Sequence, residues 1–435
     1  MKKVLILTYY WPPSGGAGVQ RCLKFVKYLR EFGWEPIVYT ALDGEMPVMD
    51  KSLQKDVPKN ITVLKTKIWE PYSIYKKFIG RKKTDKINAS FLSENKKAGI
   101  AEKISVWIRG NYFIPDARKY WIKPSVDFVT DYARKYGIKH IISSGPPHTM
   151  HMIGLGVKQR VPDIKWIADF RDPWTNIDFY EKLMLSKKAD AKHHEMEMSV
   201  LQNAGIVLSV GKTMSEEFKA MYTNAGGKSP EKFRVITNGF DEADLKQGTV
   251  IKDTKFSIAH IGTLVKDRNP EVLWQVLSKL VKTNSEFEKE LEIKLVGKLD
   301  FFVKQRIDFF GLTKYINKIE YMPHSEVIEE QQRSRVLLLL VNNTKNAKGI
   351  LTGKVFEYMA SNVPILAIGP TDGDLAEIIS EAGCGLISGF TDGETLEQNI
   401  LQLFNNSVMP ANANVIQKYS RKNLTRELAG CLASL

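Results

Sequence analysis

Four stretches of the chain carry groups able to handle an anionic, hydroxyl-rich ligand. Ser14-Gly15-Gly16-Ala17-Gly18 lies between a short apolar run and a helical pattern. Glycines let a backbone approach a ligand closely, and a helix N-terminus favours an anion. The same residues also suit a plain tight turn. Gly262-Thr263-Leu264-Val265-Lys266-Asp267-Arg268-Asn269-Pro270 repeats the order of strand, glycine loop and helix, now with two cations. Lys266 and Arg268 beside a helix start can neutralise a diphosphate, or form an exposed basic loop. In Thr352-Gly353-Lys354-Val355-Phe356-Glu357-Tyr358 the spacing predicts a helix with Thr352 at its N-cap, and Lys354 and Glu357 in its first turns. A carboxylate there can accept hydrogen bonds from two vicinal hydroxyls, as on a ribose. The helix dipole alone also favours an acid at that place. Asp169-Phe170-Arg171-Asp172-Pro173-Trp174 follows a strand, at the carboxyl end where open α/β sheets hold ligands. An internal Arg–Asp pair bracing the loop is the other reading.

Other chemistries are excluded by spacing. The first glycine cluster is neither Gly-x-Gly-x-x-Gly nor a P-loop. Gly211-Lys212-Thr213 has Ile206 where a P-loop needs its first glycine. His148-x-x-His151 and His193-His194-Glu195 lack further ligands at metal-binding spacing, so no metal is expected. Cys22, Cys384 and Cys431 are too few and too scattered for a disulfide framework. The apolar run after Met1-Lys2-Lys3 stops after about four residues, short of the roughly 7–15 of a secretory signal. No run approaches the ~18–20 residues of a membrane span. These features lead to the expectation of a cytoplasmic protein.

The elements that must position these groups follow a β/α pattern. Val4–Thr8 suits a strand buried on both faces. A Pro/Gly loop follows, then a helix from Val19 with its stop at Gly33, then a strand at 37–40. Strand-like runs recur at 140–144, 166–169, 206–210, 258–262, 293–297, 336–341 and 364–368. Thr213-Met214-Ser215-Glu216 reads as a capping box. The pattern predicts two β/α domains, residues 1–203 and 204–410, and a terminal segment 411–435 with Leu424, Leu428 and Leu432 on one helical face.

Charge separates the two halves. The chain has 435 residues and a net charge of +14. Residues 1–200 hold 35 Lys+Arg against 21 Asp+Glu, while residues 201–435 hold 28 of each. Within 65–123 there are 15 basic and 5 acidic residues, interleaved with aromatics. Tyr72, Tyr75, Phe78 and Ile79 form an apolar helical face flanked by Lys76, Lys77, Arg81, Lys82 and Lys83. Such a segment suits an anionic membrane surface or a nucleic acid, or covers the core as an amphipathic helix.

Taken in order, these motifs resemble family 4 retaining glycosyltransferases. The resemblance rests on Tyr9-Tyr10-Trp11-Pro12-Pro13-x-Gly15-Gly16-x-Gly18, Asp169 to Trp174, Thr237-Asn238-Gly239-Phe240-Asp241, Gly262-Thr263-Leu264 and Lys354-Val355-Phe356-Glu357-Tyr358. It spans essentially the whole chain. It implies the GT-B fold: two Rossmann-like, doubly wound β/α domains facing across a cleft, the last helix crossing back to the first. The N-terminal domain would take the acceptor and the C-terminal domain the nucleotide-sugar.

By position, the resemblance implies that Gly15 and Gly16 place backbone N–H groups by the donor diphosphate or the reacting sugar. Arg268 matches a phosphate-binding Lys, and Glu357 the second Glu of a Glu-x7-Glu motif that binds the donor ribose. Gly262, Thr263, Lys266 and Thr352 fall in the donor site, and His148, Asp169 and Asn238 on the acceptor side. Arg171 stands where many members carry an active-site His, with Asp172 adjoining it. Two positions depart from the pattern: Gly349 replaces the first Glu, and Thr263 replaces an Arg. Lys354 is the stand-in cation, since Lys-x-x-Glu occurs in a branch of related enzymes.

The expectation is a metal-independent retaining glycosyltransferase that needs no cofactor, the nucleotide-sugar being a substrate. Its acceptor would be a glycan or lipid-linked saccharide of surface polysaccharide synthesis, met at the inner face of the membrane through residues 65–123. No nucleic-acid partner is expected, because no recognised binding motif accompanies the charge. The alternatives are a nucleotide-sugar 2-epimerase of the same fold and a non-catalytic GT-B module that binds a glycan or partner.

Overall fold

The short apolar runs are the strands of two parallel sheets. The computed structural model describes residues 1–46, 48–71, 100–245, 248, 250–320, 322, 324–407 and 411–435. It divides into two units, Met1–Thr237 with Leu424–Leu435, and Asn238–Asn423. The amphipathic pattern read at Tyr72–Lys83 lies outside the described residues.

The first unit holds seven strands: β1 (Lys2–Leu7), β2 (Trp34–Ala41), β3 (Thr62–Thr66), β4 (His140–Gly145), β5 (Lys165–Phe170), β6 (Ile206–Ser209) and β7 (Phe233–Val235). Their order is 3-2-1-4-5-6-7, every pair parallel. Alternate residues of each strand feed opposite faces. Leu5, Leu7, Tyr39, Ile141 and Val207 join one core, and Val4, Ile6, Val38, Ile142 and Leu208 the other. Burial on both faces is why these strands read as unbroken apolar runs. The winding direction reverses between β1 and β4, the switch point where open sheets hold ligands.

The second unit repeats the plan with six strands: β8 (Phe256–Ile261), β9 (Leu291–Val296), β10 (Ile316–Ile319), β11 (Val336–Leu340), β12 (Ile365–Ile368) and β13 (Gly385–Ser388). Their order is 10-9-8-11-12-13, and the switch point lies between β8 and β11. Ile258, Ile293 and Leu338 face one core, and Ala259, Leu337 and Ile365 the other.

Three boundaries differ from the sequence pattern. The first unit ends at Thr237, not near 203, because β6 and β7 extend the first sheet beside β5. The restart of the β/α pattern near 204 continues one sheet, and periodicity alone cannot show a change of sheet. The second unit accordingly runs to Asn423, and the terminal segment 411–435 is shared. Its helix Ala413–Lys418 stays with the second unit, while Leu424, Leu428 and Leu432 of helix Arg421–Ser434 are buried beside Val4 and Ile6 of the first. The helix Lys212–Asn224 is capped by Gly211, which puts Thr213 inside the first turn and dissolves the capping box. Among the described residues no helix is long and apolar enough to cross a membrane.

Candidate functional site

In the second unit the chain leaves β8 through Gly262, whose φ of 129° lies in the region that favours glycine. An added Cβ there would collide with Lys354 Nζ. The ammonium of Lys354 thus rests against the bare backbone at the end of β8. The next turn, Lys266–Arg268, is a 3-10 helix, and helix Glu271–Thr283 follows with Pro270 at its cap. That turn is anchored from below: the buried Trp274 donates its indole N–H to Asn269 Oδ1 at 2.8 Å. Arg268 then reaches over the switch point and donates Nε–H to Asn342 Oδ1, just past β11, at 2.7 Å. Lys266 takes another course, its ammonium 5.2 Å above the Phe302 ring.

Lys354 opens the short helix Lys354–Ala360, with Glu357 in the same first turn. Burial, then the positive charge of Arg268, pushes the Lys354 ammonium down to about 8, and Glu357 pulls partly the other way. His260 of β8 lies buried below. Burial, reinforced by the charges of Lys354 and Arg268, lowers its pKa to about 3. As a neutral ring, it donates Nδ1–H to Leu338 O at 3.2 Å. Lys354, Arg268, Gly262, Asn342 and Glu357 therefore gather at the carboxyl ends of β8 and β11.

Other predicted donor residues have plainer surroundings. The cap of helix Lys354–Ala360 is Gly353, and the Thr352 hydroxyl accepts only a long 3.4 Å bond from the Lys354 N–H. Thr263 is exposed on the loop. Gly349 closes the 3-10 turn Ala347–Gly349, its N–H bonded to Asn346 O at 3.0 Å. One acidic pair has a spacing worth noting, Asp372 and Asp374 about Gly373. Asp372 is exposed and pairs with Lys348 at 2.5 Å, while Asp374 is buried in the first turn of helix Asp374–Ala382.

In the first unit the glycine cluster opens helix Ala17–Tyr28. Gly16 is its cap, at φ 94°, with no side-chain capping bond and no acid in the first turn. This end of the helix suits an anion. The Gly15 N–H, expected to face a ligand, donates instead to Val48 O at 2.8 Å. Arg171 braces the same cluster. Its guanidinium donates to the carbonyls of Gly18, Gly145 and Pro146, and an added Cβ on Gly18 would lie 2.8 Å from Arg171 Nη1. Arg171 is thereby occupied with backbone carbonyls, whereas the adjoining Asp172 is exposed.

The acceptor-side residues behave as framework in the first unit. Asp169 is buried, held by Arg21 at 2.7 Å and by the Ser144 hydroxyl at 2.7 Å. Burial alone would raise its pKa, but Arg21 and Ser144 outweigh it and hold the carboxyl below the usual range. Arg21 also donates to the carbonyls of Ile236 and Thr237, tying β5 to the chain after β7. The His148 ring is buried and stacked on Trp174, centroids 4.5 Å apart. Asn238 opens the second unit and is half-buried.

Residues 241–423 match the family model described as Glycosyl transferases group 1, which coincides with the second unit. The match is confined to the second unit and spans less than half of the chain. Around it, the whole chain is similar to solved GT-B structures. It matches the Anabaena HepE protein in complex with UDP-glucose at 14% identity and a TM-score of 0.61, covering 100% of both chains. It matches the lipopolysaccharide outer core galactosyltransferase WaaB, apo form, at 11% identity and 0.60, covering 100% of this chain and 99% of that one. A putative UDP-N-acetylglucosamine 2-epimerase from Listeria monocytogenes aligns at 12% identity and 0.54, covering 100% and 96%. No curated protein matches this chain by sequence. The expected α/β GT-B fold with two Rossmann-like sheets is thus the fold of this chain.

Proposed function

We propose that this protein is a retaining glycosyltransferase that moves a sugar from a nucleotide diphosphate sugar to a growing surface glycan carried on a membrane lipid. The supporting observation is the gathering of Arg268, Lys354 and Glu357 at the switch point of β8 and β11, in the unit that matches the group 1 family. Cleavage of the bond between the anomeric carbon and the diphosphate oxygen leaves negative charge on that oxygen. Arg268 and Lys354 are fixed in place to stabilise it before the reaction begins. Glu357 accepts hydrogen bonds from the ribose hydroxyls. The acceptor oxygen bonds to the anomeric carbon on the face the diphosphate leaves, and its proton passes to the leaving phosphate oxygen. No side chain is assigned as nucleophile. Arg171 acts by holding the glycine cluster in place, and the protein works at the inner face of the membrane.

The test is a donor screen. Purified protein is incubated with UDP-, GDP-, dTDP- and ADP-sugars, with and without membrane lipid extract, and nucleoside diphosphate release is followed. Release from one donor, raised by the extract, is expected. The similarity to the putative 2-epimerase structure supports one second reading, and the same screen separates it: a changed nucleotide-sugar, formed without extract and without released diphosphate, marks an epimerase. Neither release nor thermal stabilisation by any nucleotide overturns both and leaves a binding module.

A further inference from the structure

The second sheet comes apart where its site begins. β8 pairs with β11 through Ile258 with Val336 and Ala259 with Leu337, and the pairing stops there. β8 stays with β9 as far as Ile261, and β11 with β12 as far as Leu340. Past their ends the two sides keep to their outer neighbours. The Gly262 N–H donates to Val296 O at 2.8 Å and the Leu264 N–H to Lys298 O at 2.9 Å, while the Val341 N–H donates to Ile368 O at 3.0 Å. The sheet therefore splits into two halves at its carboxyl edge. Gly262 and Arg268 follow the β8 half, and Asn342, Lys354 and Glu357 follow the β11 half.

Two side chains reach across the split. His260, one residue past the last pair on β8, donates Nδ1–H to Leu338 O of β11 at 3.2 Å. Farther out, Arg268 donates Nε–H to Asn342 Oδ1 at 2.7 Å. The His260 ring is 2% exposed, on a strand whose other residues are Phe256, Ser257, Ile258, Ala259 and Ile261. Burying a polar ring costs free energy unless it is hydrogen-bonded. An apolar residue would avoid that cost but could not hold Leu338. Burial, then the charges of Lys354 and Arg268, keeps the ring neutral, against the backbones of Leu338 and Thr263. The link is thus made without a third positive charge beneath the first two.

We propose that His260 is a positioning residue for the donor site: its bond to Leu338 fixes the gap between β8 and β11, and so the separation of Arg268 from Lys354. Two cations on different halves of a sheet can clamp one diphosphate only at a set distance, and a looseness of about 1 Å is enough to weaken such a site. The inference rests on the reading of Arg268, Lys354 and Glu357 as the donor site, and adds a residue that touches no ligand.

The experiment is calorimetric binding of UDP, GDP, dTDP and ADP to the full chain and to two variants, with each melting temperature recorded. His260→Phe keeps the ring and removes the donor. His260→Asn keeps an N–H near the place of Nδ1 and loses volume. The diphosphate that binds the native protein best is expected to bind His260→Phe about tenfold more weakly, and His260→Asn within about threefold of native. His260→Asn should nonetheless melt below His260→Phe, because it leaves a cavity. A residue serving stability alone would give the reverse, with affinity following melting temperature. Native affinity in His260→Phe, or His260→Asn binding no better than His260→Phe, overturns the proposal. Sugar transfer is a separate result: a native protein that binds a diphosphate but transfers no sugar fails the proposed reaction and leaves the comparison of variants standing. A native protein that binds none of these diphosphates overturns both.

Discussion

Lys354 shows how a side chain is tuned by what surrounds it. Its ammonium is pressed against Gly262 and shares its surroundings with Arg268, so its pKa falls to about 8. Below that pH it is charged and attracts a diphosphate; above it the charge is lost. The kcat/KM for the donor is expected to fall about tenfold per pH unit above roughly 8, and Lys354→Arg should move the fall beyond pH 10. A flat profile in the native protein would take Lys354 out of the donor site. Arg268→Ala is expected to slow transfer about 10²–10³-fold with the melting temperature nearly unchanged, and native turnover in that variant would remove the assignment. Lys354 and Glu357 stand out in the sequence by local spacing and Arg268 by its place after a glycine loop, and the structure brings the three near one another. Asn342 and His260 do not stand out: Asn342 lies 74 residues from Arg268, and His260 reads as one more residue of a buried strand.

At the scale of elements, the same residue types serve as scaffold. The charged loop after β5 admits a ligand contact or an internal pair on sequence grounds. The pair exists, but Asp169 takes Arg21, 148 residues away, rather than its neighbour Arg171. No local pattern announces such a partner, because helix Ala17–Tyr28 and β5 meet only once the sheet is wound. Breaking a buried ion pair on one side strands the other charge, at a cost of about 3–5 kcal/mol. Asp169→Ala should accordingly lower stability by that order in urea unfolding. Unchanged stability with a raised KM for the acceptor would restore Asp169 to the acceptor site. Arg171 is framework of the same kind, and its three carbonyl partners explain why Gly18 carries no side chain there.

For the whole molecule, strands and fold class were open to reading because parallel strands covered on both faces must be apolar throughout. The division of the chain was not, since β7 and β8 belong to different sheets while the β/α rhythm runs on across them. The end of the chain bears on this division. Leu424, Leu428 and Leu432 are at most 3% exposed and fill the core of the first unit, although the preceding residues belong to the second. Losing one buried leucine costs about 2–5 kcal/mol, and three together rival the roughly 5–15 kcal/mol stability of a domain. Truncation after Asn423 is therefore expected to open the first unit and spare the second. Hydrogen exchange checks this: protection should drop in β1 and β4 and persist in β8 and β11. Equal loss in both sheets would mean that the two units unfold as one, and no loss would mean that the terminal leucines contribute little to the core they occupy.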